Sequence, residues 1–98
     1  MRAVRIAETA LEDIDTQVSG QLASDFRRLD LVPVLDALAQ DVAIWDEVGV
    51  AHGPGRRFTI SGRTVAGFHV FVVEDVSDPR PGASVVYAID IWLEDFPA

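Results

Sequence analysis

Two long stretches of the chain repeat apolar residues every three or four positions, as one face of an α-helix does. The first stretch predicts a helix whose apolar positions are Leu11, Ile14, Val18, Leu22, Phe26 and Leu29. Thr9 and Glu12 have the spacing of a capping box, which satisfies amide groups at a helix start. Gly20 is the weak point, because glycine costs about 1 kcal/mol relative to alanine in a helix interior. We therefore expect a bend or a close backbone contact at Gly20.

The second stretch predicts a helix of similar length that begins directly after the first. Asp30 is a good N-cap, and Pro33 fits the first turn, where its missing N–H group is not needed. The positions that follow are apolar at Leu35, Leu38, Val42, Trp45 and Val48, with Gly49 where a C-terminal cap is expected. Because the joint at Leu29 and Asp30 is so short, we expect the two helices to form an antiparallel hairpin.

The remaining apolar segments have the period of two that is typical of β-strands. One strand is predicted before the helices and three after them, separated by turns. The predicted strands span Arg2 to Ala7, Arg56 to Ile60, Thr64 to Asp75 and Ser84 to Glu94. The order β-α-α-β-β-β predicts an α+β fold. In this fold the helical hairpin packs on one face of a mostly antiparallel sheet, which the N-terminal strand joins.

Strict alternation along the last two strands divides their side chains between two sheet faces. The first face, which is expected to meet the helices, would carry Phe68, Val70, Val72, Tyr87, Ile89, Ile91 and Leu93. The second face would carry His69, Phe71, Val73, Val86, Ala88, Asp90 and Trp92. This second face is too apolar to be left wholly in water. It is therefore either a partner-binding surface formed by Phe71, Val73, Val86 and Trp92, or a surface covered by the chain's own tail, including Phe96.

Composition narrows the class of protein. The chain has 98 residues, of which 49% are hydrophobic and 24% charged, and this is typical of one folded domain. It contains no cysteine, so a disulfide or a thiolate metal site is excluded and a reducing cytoplasm is a compatible location. Its start lacks the apolar core of a signal peptide, and no apolar run approaches a membrane span. The net charge of −8, with arginine as the only basic residue type besides histidine, argues against an extended phosphate-binding surface.

The element order is accompanied by short characteristic pieces of sequence. These are Ile6-Ala7 before Ala10-Leu11-Glu12-Asp13-Ile14, then Gly55-Arg56-Arg57-Phe58, a Ser-Gly-Arg turn, and a last strand reading Val-Tyr-Ala-Ile-Asp-Ile-Trp. Together they resemble the RelE/ParE superfamily of bacterial toxins over most of the chain. The resemblance implies a single RelE/ParE-like domain over residues 1–98. It also implies either ribosome-dependent cleavage of mRNA or poisoning of gyrase, with an antitoxin peptide wrapped over the toxin.

Five residues are candidates for chemistry. Arg56, Arg57 and Arg63 flank one hairpin, so they could converge on a phosphate or a carboxylate, although arginines that merely offset the acidic charge are the commoner case. His69 could act as a general base near neutral pH, or it could be a structural histidine, because the sequence shows no orienting partner for it. Tyr87 matches the family-like aromatic residue of the last strand, yet the alternation places it in the core.

Two functions of different classes remain open. The first is a toxin-family protein of a bacterial toxin–antitoxin pair, with a protein partner or a second copy and with RNA, the ribosome or gyrase as target. The messenger-cleaving members carry a C-terminal segment with Arg, His or Tyr, whereas this chain ends Leu93-Glu94-Asp95-Phe96-Pro97-Ala98, so catalysis stays open. The second is a non-enzymatic acidic protein, such as an immunity or inhibitor protein, that covers a basic partner surface. No metal, cofactor, membrane or small-molecule substrate is implied.

Overall fold

The computed structural model describes residues 3–40, 46–47 and 55–94. Its strands are β1 (Val4–Ile6), β2 (Asp46–Glu47), β3 (Arg56–Ser61), β4 (Gly67–Glu74) and β5 (Ser84–Trp92). Its helices are α1 (Glu8–Gln17), α2 (Gly20–Asp25) and α3 (Val32–Ala39), with a π-helical segment, Phe26–Leu31, between α2 and α3. The strands form one sheet in the order β1-β5-β4-β3-β2. Only β1 pairs in parallel, with β5, so the predicted α+β class and the mostly antiparallel sheet are confirmed.

The helical half differs from the predicted hairpin in where the chain breaks. The first helix ends at Gln17, the backbone is extended at Val18 and Ser19, and α2 begins at Gly20 with a φ of 61°. Glycine adopts this left-handed conformation without a steric penalty, so the expected bend at Gly20 is confirmed as a complete break. The capping box is wrong, because α1 begins at Glu8 and Thr9 already lies inside it.

The predicted joint at Leu29 and Asp30 is also wrong, since the chain stays helical from Gly20 through Ala39. Pro33 has no N–H group to donate to the carbonyl four residues earlier, as a residue inside a helix normally does. Its ring also clashes with that carbonyl. A π-helical turn directly before this position relieves the conflict by adding one residue to the turn. The wider turn brings both Phe26 and Leu31 into the core, five positions apart, and leaves Leu29 on the outside, 36% exposed.

Asp30 has a role that its sequence context did not suggest. It lies in the π-helical segment, 5% exposed, rather than at a helix start. Its carboxylate accepts hydrogen bonds from the backbone amides of Arg63 and Thr64, at 2.7 and 3.0 Å, and from the Thr64 hydroxyl at 2.5 Å. These bonds satisfy the buried charge and attach the helix to the connection between β3 and β4.

Beyond Gln40, which caps α3, the predicted second helix does not continue to Val48. Asp46 and Glu47 instead form β2, which pairs with Thr59 and Phe58 of β3. The predicted positions Val42, Trp45, Val48 and Gly49 lie outside the described residues. Where the structure describes the chain, no helix is long and apolar enough to cross a membrane.

The core lies between the helices and the first face of the sheet. Its fully buried members are Ile14, Phe26, Val34, Phe68, Val70 and Val86. The rings of Phe26 and Phe68 meet edge to face with their centroids 4.9 Å apart, which joins the helical layer to the middle of the sheet. Burying this apolar surface, at about 25 cal/mol per Å², is the main stabilising contribution.

Three polar side chains of α1 replace a strand along the edge of β5. Strand β1 covers this edge only from Ser84 to Val86. Beyond it, the hydroxyl of Thr9 donates to the Tyr87 carbonyl, the Asp13 carboxylate accepts from the Ile89 amide, and Gln17 bonds the Ile89 carbonyl and the Ile91 amide. Because these three residues are four positions apart on α1, they project in one row. The row provides hydrogen bonds to backbone groups at a sheet edge that would otherwise be open.

Candidate functional site

A bulge in β5 decides which aromatic side chain reaches the second face. Phe71 pairs with Ala88 and Val72 pairs with Val86, so Tyr87 is the extra residue between them. The extra residue reverses the alternation at this point. Val86 is therefore fully buried in the core, and its prediction as a partner-binding residue is wrong. Tyr87, which alternation placed in the core, instead has its ring 6.1 Å from that of Phe71, on the second face.

Leu93 was also predicted to lie in the core, and this prediction is wrong too. The strand β5 ends at Trp92, so Leu93 lies just beyond the sheet and is 56% exposed. Of the predicted partner-binding residues, Phe71, Val73 and Trp92 lie on the second face with partial burial. Phe96, the tail residue that was the alternative cover for this face, lies outside the described residues.

His69 occupies the middle of the second face. It lies in β4 directly between Thr59 of β3 and Asp90 of β5. Its imidazole is 16% exposed, and its Nδ1 atom is 4.0 Å from Oδ2 of Asp90. The rings of Trp92 and Phe71 meet it at centroid distances of 4.9 and 6.2 Å. The imidazole therefore stands between aromatic rings with the Asp90 carboxylate beside it.

Arg57 adds a positive charge to the same face. It pairs with Phe71 across the β3–β4 ladder, which makes it a diagonal neighbour of His69. Burial, and then the charge of Arg57, lower the pKa of His69, while Asp90 acts in the opposite direction. The imidazole is thus mainly neutral near pH 7 and can accept a proton. The Nε atom of Arg57 is buried and has no hydrogen-bond partner among the described residues.

Trp92 is held against the sheet by a glycine. It pairs with Gly67, and a Cβ atom added at Gly67 would lie 2.4 Å from the indole ring. The indole therefore covers the glycine backbone and reaches His69 on its other side. Since Gly67 has no side chain, Trp92 can lie flat at the end of β5, where it limits the space that the imidazole can occupy.

The other two arginines do not join this site. Arg56 points to the opposite face, because it pairs with Val72, and its guanidinium carbon lies 5.1 Å from the centre of the Phe58 ring. Arg63 follows the far end of β3, which is about 13 Å along the strand from Arg57. Its backbone is fixed by Asp30. The structure therefore places Arg57, His69 and Tyr87 on one face, where Tyr87 contacts Phe71, and it separates Arg56 and Arg63 from them.

Sequence reasoning did not assign a role to Asp90, although a signal for it exists. The predicted strands Thr64 to Asp75 and Ser84 to Glu94 leave a loop centred between Pro79 and Arg80, and pairing outward from this centre places His69 opposite Asp90. The same pairing fails closer to the loop, because the bulge at Tyr87 shifts the register by one residue. The partner of His69 was therefore predictable from the hairpin, whereas the position of Tyr87 was not.

Acidic charge is distributed unevenly between the two layers. From Glu8 to Ala39 the chain carries seven acidic and two basic residues, whereas β3, β4 and β5 together carry two of each. The net charge of −8 thus comes largely from outside the sheet.

Within the described segments, no three His, Asp or Glu side chains are grouped as a metal site would require.

Comparison of the chain with protein-family models, with curated proteins and with solved structures finds no match.

Proposed function

We propose that this chain is a RelE/ParE-like toxin-family protein that acts on RNA through the second face of its sheet. The observation that carries the proposal is that Arg57 and His69 are diagonal neighbours on that face, with Phe71 beside both and the Tyr87 ring against Phe71. An arginine to hold phosphate, a neutral imidazole to take a proton and aromatic rings to stack on bases are what cleavage of single-stranded RNA requires. These groups favour RNA over gyrase as the target.

The chemistry suited to this set is transesterification within the RNA strand. The neutral imidazole of His69 accepts the proton of a ribose 2′-hydroxyl, and the 2′-oxygen attacks the adjacent phosphorus. The bond from phosphorus to the 5′-oxygen of the next nucleotide breaks, and this oxygen takes a proton from water. The products are a 2′,3′-cyclic phosphate and a free 5′-hydroxyl. The guanidinium of Arg57 compensates the charge that builds on the phosphate oxygens.

The negative net charge of the chain is compatible with this proposal because of where the acidic residues lie. A long phosphate-binding surface is excluded by the net charge, but a site for one or two nucleotides needs only local compensation. The three strands β3, β4 and β5 are balanced in charge, and Arg57 is a diagonal neighbour of His69. The acidic helices lie on the other side of the sheet, so they repel RNA from the opposite surface.

Induced expression in bacteria tests the proposal directly. Growth is compared for the wild-type chain, Arg57→Ala and His69→Gln, with Arg56→Ala and Arg63→Ala as matched controls that remove an arginine elsewhere. We expect growth arrest with the wild type and both controls, and normal growth with the two site variants at equal levels of folded protein. Mapping of mRNA ends then checks for cleavage. Arrest with intact mRNA and altered DNA supercoiling would contradict RNA as the target, and normal growth with abundant wild-type protein would contradict a toxin.

The acidic helices support a second candidate, a non-enzymatic protein that covers a basic surface. Glu8, Glu12, Asp15 and Asp36 are all exposed on α1 and α3. Electrostatic attachment through such residues weakens as salt increases. Pull-down of a binding partner at low and high salt, with wild type and Glu8→Gln/Glu12→Gln, separates the candidates. Capture of a basic protein that depends on these glutamates, without growth arrest, supports the second function.

A further inference from the structure

We infer that Asp90 is a positioning residue for His69, holding the Nδ1–H group of the imidazole toward β5 so that Nε2 is the proton-accepting atom. This inference rests on the proposed function for its catalytic meaning, but its structural content can be tested without activity. It also supplies the orienting group that a histidine needs in order to act as a general base.

The register of the sheet makes this pair. His69 and Asp90 are directly opposite across the β4–β5 ladder, so their side chains leave the same face at neighbouring positions. Oδ2 of Asp90 lies 4.0 Å from Nδ1 of His69, which is within ion-pair range and longer than a hydrogen bond. The Asp90 side chain is 65% exposed, so closing this gap by rotation toward the ring is part of the inference. Catalytic hydrogen bonds are often long before substrate binds.

The aromatic neighbours restrict the imidazole to this arrangement. Trp92 meets the ring at a centroid distance of 4.9 Å and itself lies against Gly67. Phe71 meets it from the other direction along β4, at 6.2 Å. With both sides occupied, the ring keeps one edge toward Asp90.

Among the described residues, charged groups on the two neighbouring strands act on His69. Arg57 on β3 disfavours the protonated imidazole, and Asp90 on β5 favours it. Arg57 and Asp90 therefore shift the His69 pKa in opposite directions, and burial lowers it in the same direction as Arg57 does. Removing Asp90 removes an interaction that raises the His69 pKa, and we therefore expect this pKa to fall further.

Nitrogen-15 NMR of the His69 ring across a pH titration tests the inference in the full chain. The wild type is compared with Asp90→Ala, with Asp90→Glu as the conservative variant and with Glu74→Ala as a control that removes a carboxylate from the far end of β4. We expect a predominant Nδ1–H tautomer in the wild type. In Asp90→Ala we expect a smaller share of that tautomer and a lower His69 pKa. Asp90→Glu should restore both, and Glu74→Ala should leave both unchanged.

An unchanged tautomer and an unchanged His69 pKa in Asp90→Ala would overturn the inference, whatever the outcome for growth. If the NMR result is as expected but the wild type neither arrests growth nor cleaves RNA, Asp90 still positions His69 and the proposed function fails. If RNA is cleaved, the pH profile of the reaction should move to lower pH in Asp90→Ala, following the His69 pKa. A merely structural role for Asp90 would lower the rate at every pH without this displacement.

Discussion

Gly67 shows how one residue at the start of β4 determines the shape of the candidate site. Its register partner is Trp92, and the space that a Cβ atom would need is taken by the indole ring. Glycine is otherwise unfavourable inside a strand, because it has no side chain to pack and loses more conformational entropy on folding. Here the indole covers the glycine backbone, so that Gly67 is buried, and the aromatic enclosure of His69 depends on that contact.

Substitution of this glycine has a specific expected effect. Gly67→Ala should lower the free energy of unfolding by about 1–3 kcal/mol, as overpacking of a filled site does. In a chain that already carries Trp92→Ala the same change should cost much less, because the clashing ring is gone. Urea denaturation of the two single variants and the double variant measures this coupling. Equal costs in both backgrounds would show that Trp92 does not lie on Gly67.

At the scale of elements, α1 serves the sheet in two ways. Its apolar residues Ala10 and Ile14 are buried in the core, while Thr9, Asp13 and Gln17 supply hydrogen bonds to the backbone of β5. An open strand edge is a template for pairing with another chain, so this row of polar side chains also keeps the edge from associating. The same hydrogen bonds hold β5 where it presents Asp90 and Trp92.

Removing the row should therefore change both stability and association. The double variant Asp13→Ala/Gln17→Ala loses three hydrogen bonds to the Ile89 and Ile91 backbone. At about 1 kcal/mol for each bond, we expect a loss of roughly 2–3 kcal/mol in the free energy of unfolding. We also expect concentration-dependent oligomers. Urea denaturation and light scattering measure the two effects, with Glu8→Ala/Glu12→Ala as a control on the exposed side of α1. Equal behaviour of the two double variants would contradict a protective role for the row.

At the scale of the whole molecule, one ion pair joins the first strand to the end of β4. Asp75 accepts from Nε of Arg5 at 2.6 Å and from the Ser77 hydroxyl at 2.6 Å. The hydrogen bond from Arg5, followed by that from Ser77, holds the pKa of Asp75 at about 2. Because chain positions 5 and 75 are far apart in sequence, this pair exists only in the folded state.

The pair should contribute to the acid sensitivity of the fold. The folded pKa of Asp75 lies below its value in an unfolded chain, which is about 3.9. Its stabilising contribution is therefore fully present above this value and is lost as the pH falls toward 2. Asp75→Asn should be less stable than the wild type at pH 7, and the difference should shrink between about pH 5 and pH 2. Urea denaturation across this range measures it, with Asp36→Asn as a control for net charge. A difference independent of pH would rule out this linkage.

The sequence by itself determined the class of fold and the approximate positions of its elements. Periodicity located β1, β3, β4 and β5, because burial of one face sets the spacing of apolar residues. The low helix propensity of glycine identified Gly20 as the place where the first helix is interrupted. It also placed His69, Phe71 and Trp92 together, since alternation is preserved over that part of the hairpin.

Only the tertiary structure decided the features that depend on contacts between distant segments. The continuity of the helix through Asp30 follows from burial of that carboxylate against the amides of Arg63 and Thr64. The exchange of Val86 and Tyr87 between faces follows from a bulge of one extra residue. No glycine at this point of β5 indicates the bulge in the sequence. The separation of Arg57 from Arg56 and Arg63 follows from strand register. In each case the deciding energy comes from packing and hydrogen bonding across the fold, which no local pattern contains.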